Sequence, residues 1–389
     1  MSSLERSLRG RAAIVGAAES ALGIVGAGVS SLDLIGQATA RALADAGLVK
    51  SDIDAVFTHS AFFPLPTVTT CEYLGIRPRL TDSTATGGSA FIAQLHHAVA
   101  AIDAGLCEVA LIVYGSTQRS SAGGLQVSAP NSVTSYEEPF RPRIPITSYA
   151  LAAARHMHEF GTTRAQLAEV AVAARRWAQL NPSAFSREPL TVDDVVNARM
   201  LSTPLTVRDC CLVTDGGGAI IVTSSERARD LAKPPVYVLG VGEANWHMHI
   251  SQMADLTRTA ATESSARAYA SAGLSAADVD VVQLYDAFTI NTLLFLEDLG
   301  FCAKGEAGPF VESGAISPGG VLPVNTNGGG LSYGHPGMYG IFTLIESVRQ
   351  LRGEAEDRQV ADAHVALAHG NGGTLSSQVT ALLSDGSVL

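Results

Sequence analysis

Asp82-Ser83-Thr84-Ala85-Thr86-Gly87-Gly88-Ser89 is a run of small and polar residues that ends where an apolar helical pattern begins, at Phe91, Ile92, Leu95, Val99 and Ile102. A small-residue turn feeding a helix predicts that residue 84 lies at a helix N-terminus. Free backbone N–H groups and the positive end of the helix dipole at such a place suit an activated nucleophile or a bound oxyanion. Outward from this turn the pattern alternates. Ala12-Ala13-Ile14-Val15-Gly16 reads as a short apolar strand, and Leu32 to Ala46 reads as a helix with Ile35, Ala38, Ala42 and Leu43 on one face. Val109 to Tyr114 is a buried strand after the Thr84 helix, and Gly217 to Val222 is a closing one.

A phrase recurs far along the chain. Ala46-Gly47-Leu48-x-x-x-Asp52-Ile53-Asp54-x-Val56 returns as Ala272-Gly273-Leu274-x-x-x-Asp278-Val279-Asp280-x-Val282, at an offset of 226 residues. That period is far too long for a solenoid, and each copy follows a helical pattern and enters an apolar strand, so it implies a duplicated domain. The first half spans 1–231. Its stretch from about 116 to 206 changes character, with many prolines, arginines and Ser/Thr and a helical pattern through Leu167, Val170, Ala174 and Trp177, and reads as an insertion. Ala232-Lys233-Pro234-Pro235 is the linker, and the second half spans 236–389 with strands at Val236–Val241, His364–Ala368 and Gln378–Leu383 and helices at Thr289–Leu299 and near Met338. Alternating strands and helices imply an α/β fold in layers.

Composition bounds the function. A chain of 389 residues with 47% hydrophobic content can bury one large core or two joined ones, and a net charge of −11 argues against nucleic acid or an anionic membrane as partner. An anionic cofactor needs only a local basic patch. Five cysteines at 71, 107, 210, 211 and 302 show no metal-ligand spacing and read as reduced thiols of a cytoplasmic protein. Arg6, Arg9 and Arg11 before Ala12–Ala18 imitate a secretory leader, but Glu19 interrupts the apolar run. No apolar stretch approaches a membrane span. His96-His97 diverge on one helix and are not a metal pair, so no metal site is expected.

The turn at 82–89 resembles the nucleophile turn of the thiolase superfamily, closest to its sterol-carrier-type branch, where Cys-Ala-Thr-Gly-Ser would be expected. The cysteine position is Thr84. A hydroxyl is almost never ionised near neutrality, so acyl-enzyme chemistry there is disfavoured. Three further stretches carry the resemblance. Leu284-Tyr285-Asp286-Ala287-Phe288 stands where the family shows His-Asp-Cys-Phe or Asn-Glu-Ala-Phe, with tyrosine replacing the residue that helps bind a water on the thioester oxyanion. Asn325 to Gly340, containing Gly328-Gly329-Gly330 and Gly334-His335-Pro336, resembles the family's glycine-rich Gly-His-Pro segment. There His335 is expected to point an N–H at the thioester oxygen, flanked by Tyr333 and Tyr339 as weaker candidates. His369 in Ala368-His369-Gly370-Asn371-Gly372-Gly373 falls where the family has its acid/base cysteine. Asp209-Cys210-Cys211-Leu212-Val213-Thr214-Asp215-Gly216-Gly217 reads as structural.

The resemblance implies duplicated halves face to face in a five-layered αβαβα sandwich, with the insertion over the coenzyme A site. It implies no tightly bound cofactor, coenzyme A arriving as part of the thioester substrate. By the same resemblance the chain forms a homodimer through its first half, joined by a separate small subunit with an OB-fold and a zinc ribbon. Thiolytic cleavage needs the lost nucleophile, whereas retro-aldol cleavage of a β-hydroxyacyl thioester needs a base for the hydroxyl and a stabilised enolate. Loss of the thiol at 84 with Tyr285, His335, Tyr339, His369 and Tyr333 in place therefore points to a carbon–carbon lyase. The combination resembles the bacterial thiolase-like aldolases that shorten steroid side chains. A β-ketoacyl-CoA thiolase or acyltransferase using Ser83 or Ser89, and a non-catalytic acyl-CoA-binding scaffold subunit, are the alternatives. No coenzyme A-contacting residue is assignable from the residues alone.

Overall fold

The structure is a computed structural model that describes residues 8–122 and 136–389. Arg6 and the insertion's stretch 123–135 lie outside the described residues. Among the described residues, nine strands pair in the order β3-β2-β4-β7-β1-β8-β11-β10-β9. Those of the first half are β1 (Ala12–Glu19), β2 (Ala55–Thr58), β3 (Leu80–Asp82), β4 (Val109–Ser116) and β7 (Gly216–Ser224). Those of the second are β8 (Val236–Asn245), β9 (Val281–Leu284), β10 (Val365–Gly372) and β11 (Ser377–Ser384). Between the halves, β1 and β8 pair antiparallel at Ala13↔Tyr237 and Ile14↔Val236. A separate ribbon pairs β5 (Met200–Ser202) with β6 (Leu205–Thr206).

Among the described residues, eight helices of nine or more residues carry the layers: α1 (Ser31–Ala46), α2 (Pro66–Leu74), α3 (Ala90–Asp103), α4 (Ile146–Phe160), α5 (Arg164–Gln179), α6 (Ala261–Ala272), α7 (Thr289–Asp298) and α8 (Gly340–Leu351). Helix α1 packs outside on β1, β7 and β4, and α6 packs outside on β8 and β11. Helices α3 and α8 each touch strands of both halves and so form the middle layer. Their composition explains that position. Phe91, Ile92 and Leu95 of α3 and Ile341, Phe342, Leu344 and Ile345 of α8 are fully buried, as a helix that is apolar nearly all round must be. The five layers expected from the resemblance are present. No helix among the described residues is long and apolar enough to cross a membrane.

The repeated phrase does the same work twice. Gly47 and Gly273 end α1 and α6 in left-handed conformation, with φ of 68° and 63°. Asp54 then accepts from the backbone N–H of Glu108 and Val109 at the start of β4, and Asp280 accepts from those of His364 and Val365 at the start of β10. Each aspartate ties a strand-start loop to the next parallel strand, so the sequence match is a match of hydrogen bonds.

Two elements depart from the sequence reading. The helix after the small-residue turn begins at Ala90, preceded by a 3₁₀ turn at Gly87–Ser89, so Thr84 lies outside it. Gly87 takes φ of 72°, which breaks any helical run between 84 and 88. The insertion contains α4 in addition to α5, because α4 buries Tyr149, Ala150, Ala152, Ala153 and His156, a face too poor in large aliphatic residues to read as helical.

A buried polar network moors the insertion to the second half. His156 of α4 pairs through Nε2 with Glu297 of α7 at 3.0 Å and through Nδ1 with Thr162 at 2.7 Å. Lys304 closes the network on Glu297 at 3.1 Å and Asp298 at 2.6 Å. His156→Ala leaves Thr162 and part of Glu297 unsatisfied in a water-free place, which costs about 1–3 kcal/mol. Chemical denaturation of the variant is expected to show that loss, and unchanged stability would contradict the mooring role.

Candidate active site

Strand β9 ends at Leu284, and the chain turns before α7 at Phe288. Tyr285 is fixed at this turn by its N–H, which donates to the His369 carbonyl of β10 at 3.0 Å. The preceding N–H of Leu284 donates to Asn325 Oδ1 at 2.6 Å. The ring packs against the small-residue turn. A Cβ on Gly88 would stand 2.0 Å from Tyr285 Cε2, so glycine at 88 is what admits the phenol. The glycines of that turn therefore make room for a side chain.

Asp286 organises the opposite loop. Its Oδ1 accepts from the Gly330 N–H at 2.6 Å and its Oδ2 from that of Leu331 at 3.4 Å, pinning the π-helical turn at Gly329–Tyr333. Burial pushes its carboxyl up to about 7 against the pull of those N–H groups. Asp286 lies within the stretch 284–288, whose pattern alone gives it no role.

The loop so held delivers His335. Its N–H donates to Thr214 Oγ1 at 3.0 Å, and the next carbonyl, of Pro336, accepts from the Tyr114 hydroxyl at 2.5 Å. The ring stands nearly perpendicular to Tyr285, and Nε2 meets the Tyr285 hydroxyl at 3.0 Å. The nitrogen expected to face a thioester oxygen faces that phenol. Nδ1 is buried without a protein partner. Desolvation holds His335 neutral, down to about 4, and holds the Tyr285 phenol well above its ordinary range. Two neutral groups sharing one hydrogen bond can pass a proton along it: one arriving at the phenol oxygen can release the phenol proton to Nε2.

Tyr339 completes the aromatic wall, edge-on to Tyr285 with centroids 5.9 Å apart and stacked on His335 at 6.3 Å. Its hydroxyl donates to Asn327 Oδ1 at 2.9 Å. The other sequence candidates lie apart. Tyr333 turns away, its hydroxyl on Glu19 Oε1 at 3.1 Å, beside the pair that Arg349 makes with that carboxylate. His369 has both ring nitrogens engaged, by Thr380 Oγ1 and Gln378 Oε1, each at 2.9 Å. The Thr84 hydroxyl donates to Asp82 Oδ2 at 2.8 Å, which also pairs with His97. Ser89 is buried and hydrogen-bonded to Thr86 and Ser377. Tyr149, which no sequence motif singles out, stacks its ring on Phe288 at 4.3 Å. Its hydroxyl meets Asn371 at 2.9 Å. Burial pushes the Cys211 thiol well above its ordinary range, so it is not a ready thiolate. No cluster of His, Cys, Asp and Glu suited to a metal ion occurs among the described residues.

Residues 242–385 match the thiolase C-terminal domain-like family. The chain is 36% identical over 354 residues to a 17-hydroxy-3-oxo-4-pregnene-20-carboxyl-CoA lyase of Mycobacterium tuberculosis, covering 86% of this chain and 90% of that protein. It is 35% identical over 351 residues to an acetyl-CoA acetyltransferase of Methanothermobacter thermautotrophicus, covering 86% and 89%. The solved structure of an Ltp2-ChsH2(DUF35) aldolase superposes with a TM-score of 0.89 at 33% identity, covering 98% of this chain and 100% of that one. The chain belongs to the thiolase superfamily.

The buried histidines set a pH dependence. His335 is held down to about 4 and His369 to about 3, while the unfolded chain protonates each near 6.5. Between those values the folded state binds fewer protons at both histidines, so stability falls as pH drops from about 6.5 toward 4. Asp286, raised to about 7, acts in the opposite sense over the same window. Removing one histidine, as in His335→Gln, is expected to lower the slope of stability against pH by about 1.1 kcal/mol per pH unit between pH 4.5 and 6. Denaturant titrations across that range check it, and an unchanged slope would show that His335 titrates normally in the folded chain.

Proposed function

We propose that the chain is a carbon–carbon lyase that cleaves a β-hydroxyacyl-CoA by a retro-aldol reaction to a carbonyl product and a shorter acyl-CoA. The observation that carries this is the buried 3.0 Å contact between the Tyr285 hydroxyl and His335 Nε2, set on a turn whose nucleophile position is Thr84. The β-hydroxyl proton passes to the Tyr285 oxygen, whose own proton moves to Nε2. The bond between Cα and Cβ breaks, the carbonyl product leaves uncharged, and the electron pair stays on the thioester enolate. His335, with Nε2 on Tyr285, serves the hydroxyl end of the substrate; this reading replaces the direct contact with the thioester oxygen.

The substrate class is a steroid side-chain thioester, supported by the pregnene-carboxyl-CoA lyase among the relatives. The acetyltransferase relative keeps the thiolase alternative in view. Against it stand the Thr84 hydroxyl, tied to Asp82, and the un-ionised Cys211. The small OB-fold and zinc-ribbon partner is supported by the DUF35 component of the matching aldolase. Homodimer formation through the first half, division at 231–236 with the insertion over about 116–206, coenzyme A carried only by the substrate, and a cytoplasmic setting complete the reading. The paired clamps at Asp54 and Asp280 favour that division.

One experiment separates the enzyme readings. With a β-hydroxyacyl-CoA and the partner subunit present, Tyr285→Phe is expected to slow carbonyl release by about 10²–10⁴-fold, as for a lost general acid–base group, while Thr84→Ala retains appreciable activity. Mass spectrometry of the quenched wild type is expected to show no acyl adduct. An adduct at Thr84, Ser83, Ser89 or Cys211 would support the thiolase, and a wild type that binds the thioester without cleaving it would support the scaffold.

A further inference from the structure

In the lyase reading His335 takes the phenol proton, yet its ring is tied to one other residue. Nε2 meets the Tyr285 hydroxyl, while Nδ1 is buried against its own main chain and finds no partner on another residue. A working histidine is normally aimed by a hydrogen bond that its second nitrogen makes elsewhere in the fold. Here the ring is aimed by stacking on Tyr339 and by the backbone that carries it. Whatever holds that backbone therefore acts on the Tyr285 contact.

The loop is pinned at both ends, by Asp286 at Gly330 and by Thr214 at His335. Between the pins, the insertion supplies the bonds. The Phe185 N–H donates to the Tyr333 carbonyl and the Ser186 N–H to the Ser332 carbonyl, each at 3.0 Å, and Asn181 Nδ2 donates to the Asn327 carbonyl at 2.9 Å. Helix α5 lies directly against the same loop, since a Cβ on Gly328 would stand 2.7 Å from that of Ala178.

One side chain of α5 reaches the middle of the turn. Arg175, 4% exposed, donates through Nε to Ser332 Oγ at 2.9 Å and through Nη1 to the Glu188 carbonyl at 2.7 Å. Both partners are neutral oxygens, and among the described residues Arg175 makes no ion pair, the Glu188 carboxylate acting on it only at longer range. A buried cation is normally matched by a carboxylate, because leaving water is costly for a charge. What this one has instead is reach in two fixed directions, which a planar guanidinium provides and an ammonium does not. It spans from the segment after α5 to the π-helical turn three residues before His335.

Building on the lyase reading, we infer that Arg175 is a positioning residue for His335, holding through Ser332 the turn that sets Nε2 against the Tyr285 hydroxyl. The insertion thereby becomes part of the proton-transfer geometry, and a chain whose α5 shifts loses the aim of His335 without any change in Tyr285 or His335 themselves.

The test reads His335 directly. In the full chain with its partner subunit, carrying nitrogen-15 histidine, the His335 ring signals are identified by their loss in His335→Gln, and they are expected to show Nε2 as a hydrogen-bond acceptor. Arg175→Met removes both bonds without leaving a buried charge, a kind of replacement that folded proteins tolerate. It is expected to move those signals toward a ring without that bond and to lower kcat on a β-hydroxyacyl-CoA by about 10–100-fold, with KM within about twofold. Ser332→Ala breaks the same contact from the loop side, and the double variant is expected to be no slower than the slower single one. Wild-type signals and kcat in a folded Arg175→Met chain would overturn this inference and leave the lyase reading standing. So would activity lost only in step with folded protein while the His335 signals stay in place. Signals that move as expected, in a protein whose wild type binds the thioester without cleaving it, would uphold the positioning of His335 and overturn the lyase reading.

Discussion

The hydrogen bond between Tyr285 and His335 joins two side chains fifty residues apart in a place from which water is excluded. Its position depends on three backbone constraints that act together. Gly88 leaves room for the ring, Asn325 and the His369 carbonyl fix the end of β9, and Asp286 holds the π-helical turn from which His335 follows. Each constraint joins a different part of the chain: the first half's turn, two strands of the second half and the glycine-rich loop. The site is assembled where the two halves meet across α3 and α8.

Burial then decides the chemistry. In water a phenol and an imidazole hydrogen-bond weakly and titrate independently, but here desolvation keeps both uncharged over the whole neutral range. A neutral pair suits a reaction whose leaving product is itself neutral, and it suits thiolysis poorly, since that requires a nucleophile ready to attack. The small-residue turn at 82–89 accommodates an aromatic ring at Gly88.

Much of the fold was legible because its signals are local. The apolar runs of β1, β4 and β7, the helix at 31–46 and the repeated Ala-Gly-Leu phrase each carry their own periodicity or cap, and the structure adds that Asp54 and Asp280 make matching clamps. Tyr285, His335 and Tyr339 could be singled out through their motifs, and the structure brings them together. What was not legible is long-range. Tyr149 meets Asn371 and Gly373 more than two hundred residues away, from a helix whose buried face is largely alanine. Tyr333 and His369 sit in the right motifs, yet their side chains turn to Glu19 and to β11, a choice made by partners that no local pattern names. Thr84 was read one turn too close to the helix because the left-handed conformation of Gly87 does not show in composition.

The central claim is that the reacting oxygen of the substrate meets Tyr285 and leaves the former nucleophile position idle. A crystal structure of the Tyr285→Phe chain with a bound β-hydroxyacyl-CoA tests this most directly, because the variant keeps the ring while slowing turnover. The account predicts the β-hydroxyl oxygen within about 3.5 Å of His335 Nε2 or of the site the phenol oxygen vacates, the distance of a hydrogen bond or a close approach to one. A thioester carbon seated against the Thr84 hydroxyl, with the β-oxygen far from His335, would contradict it.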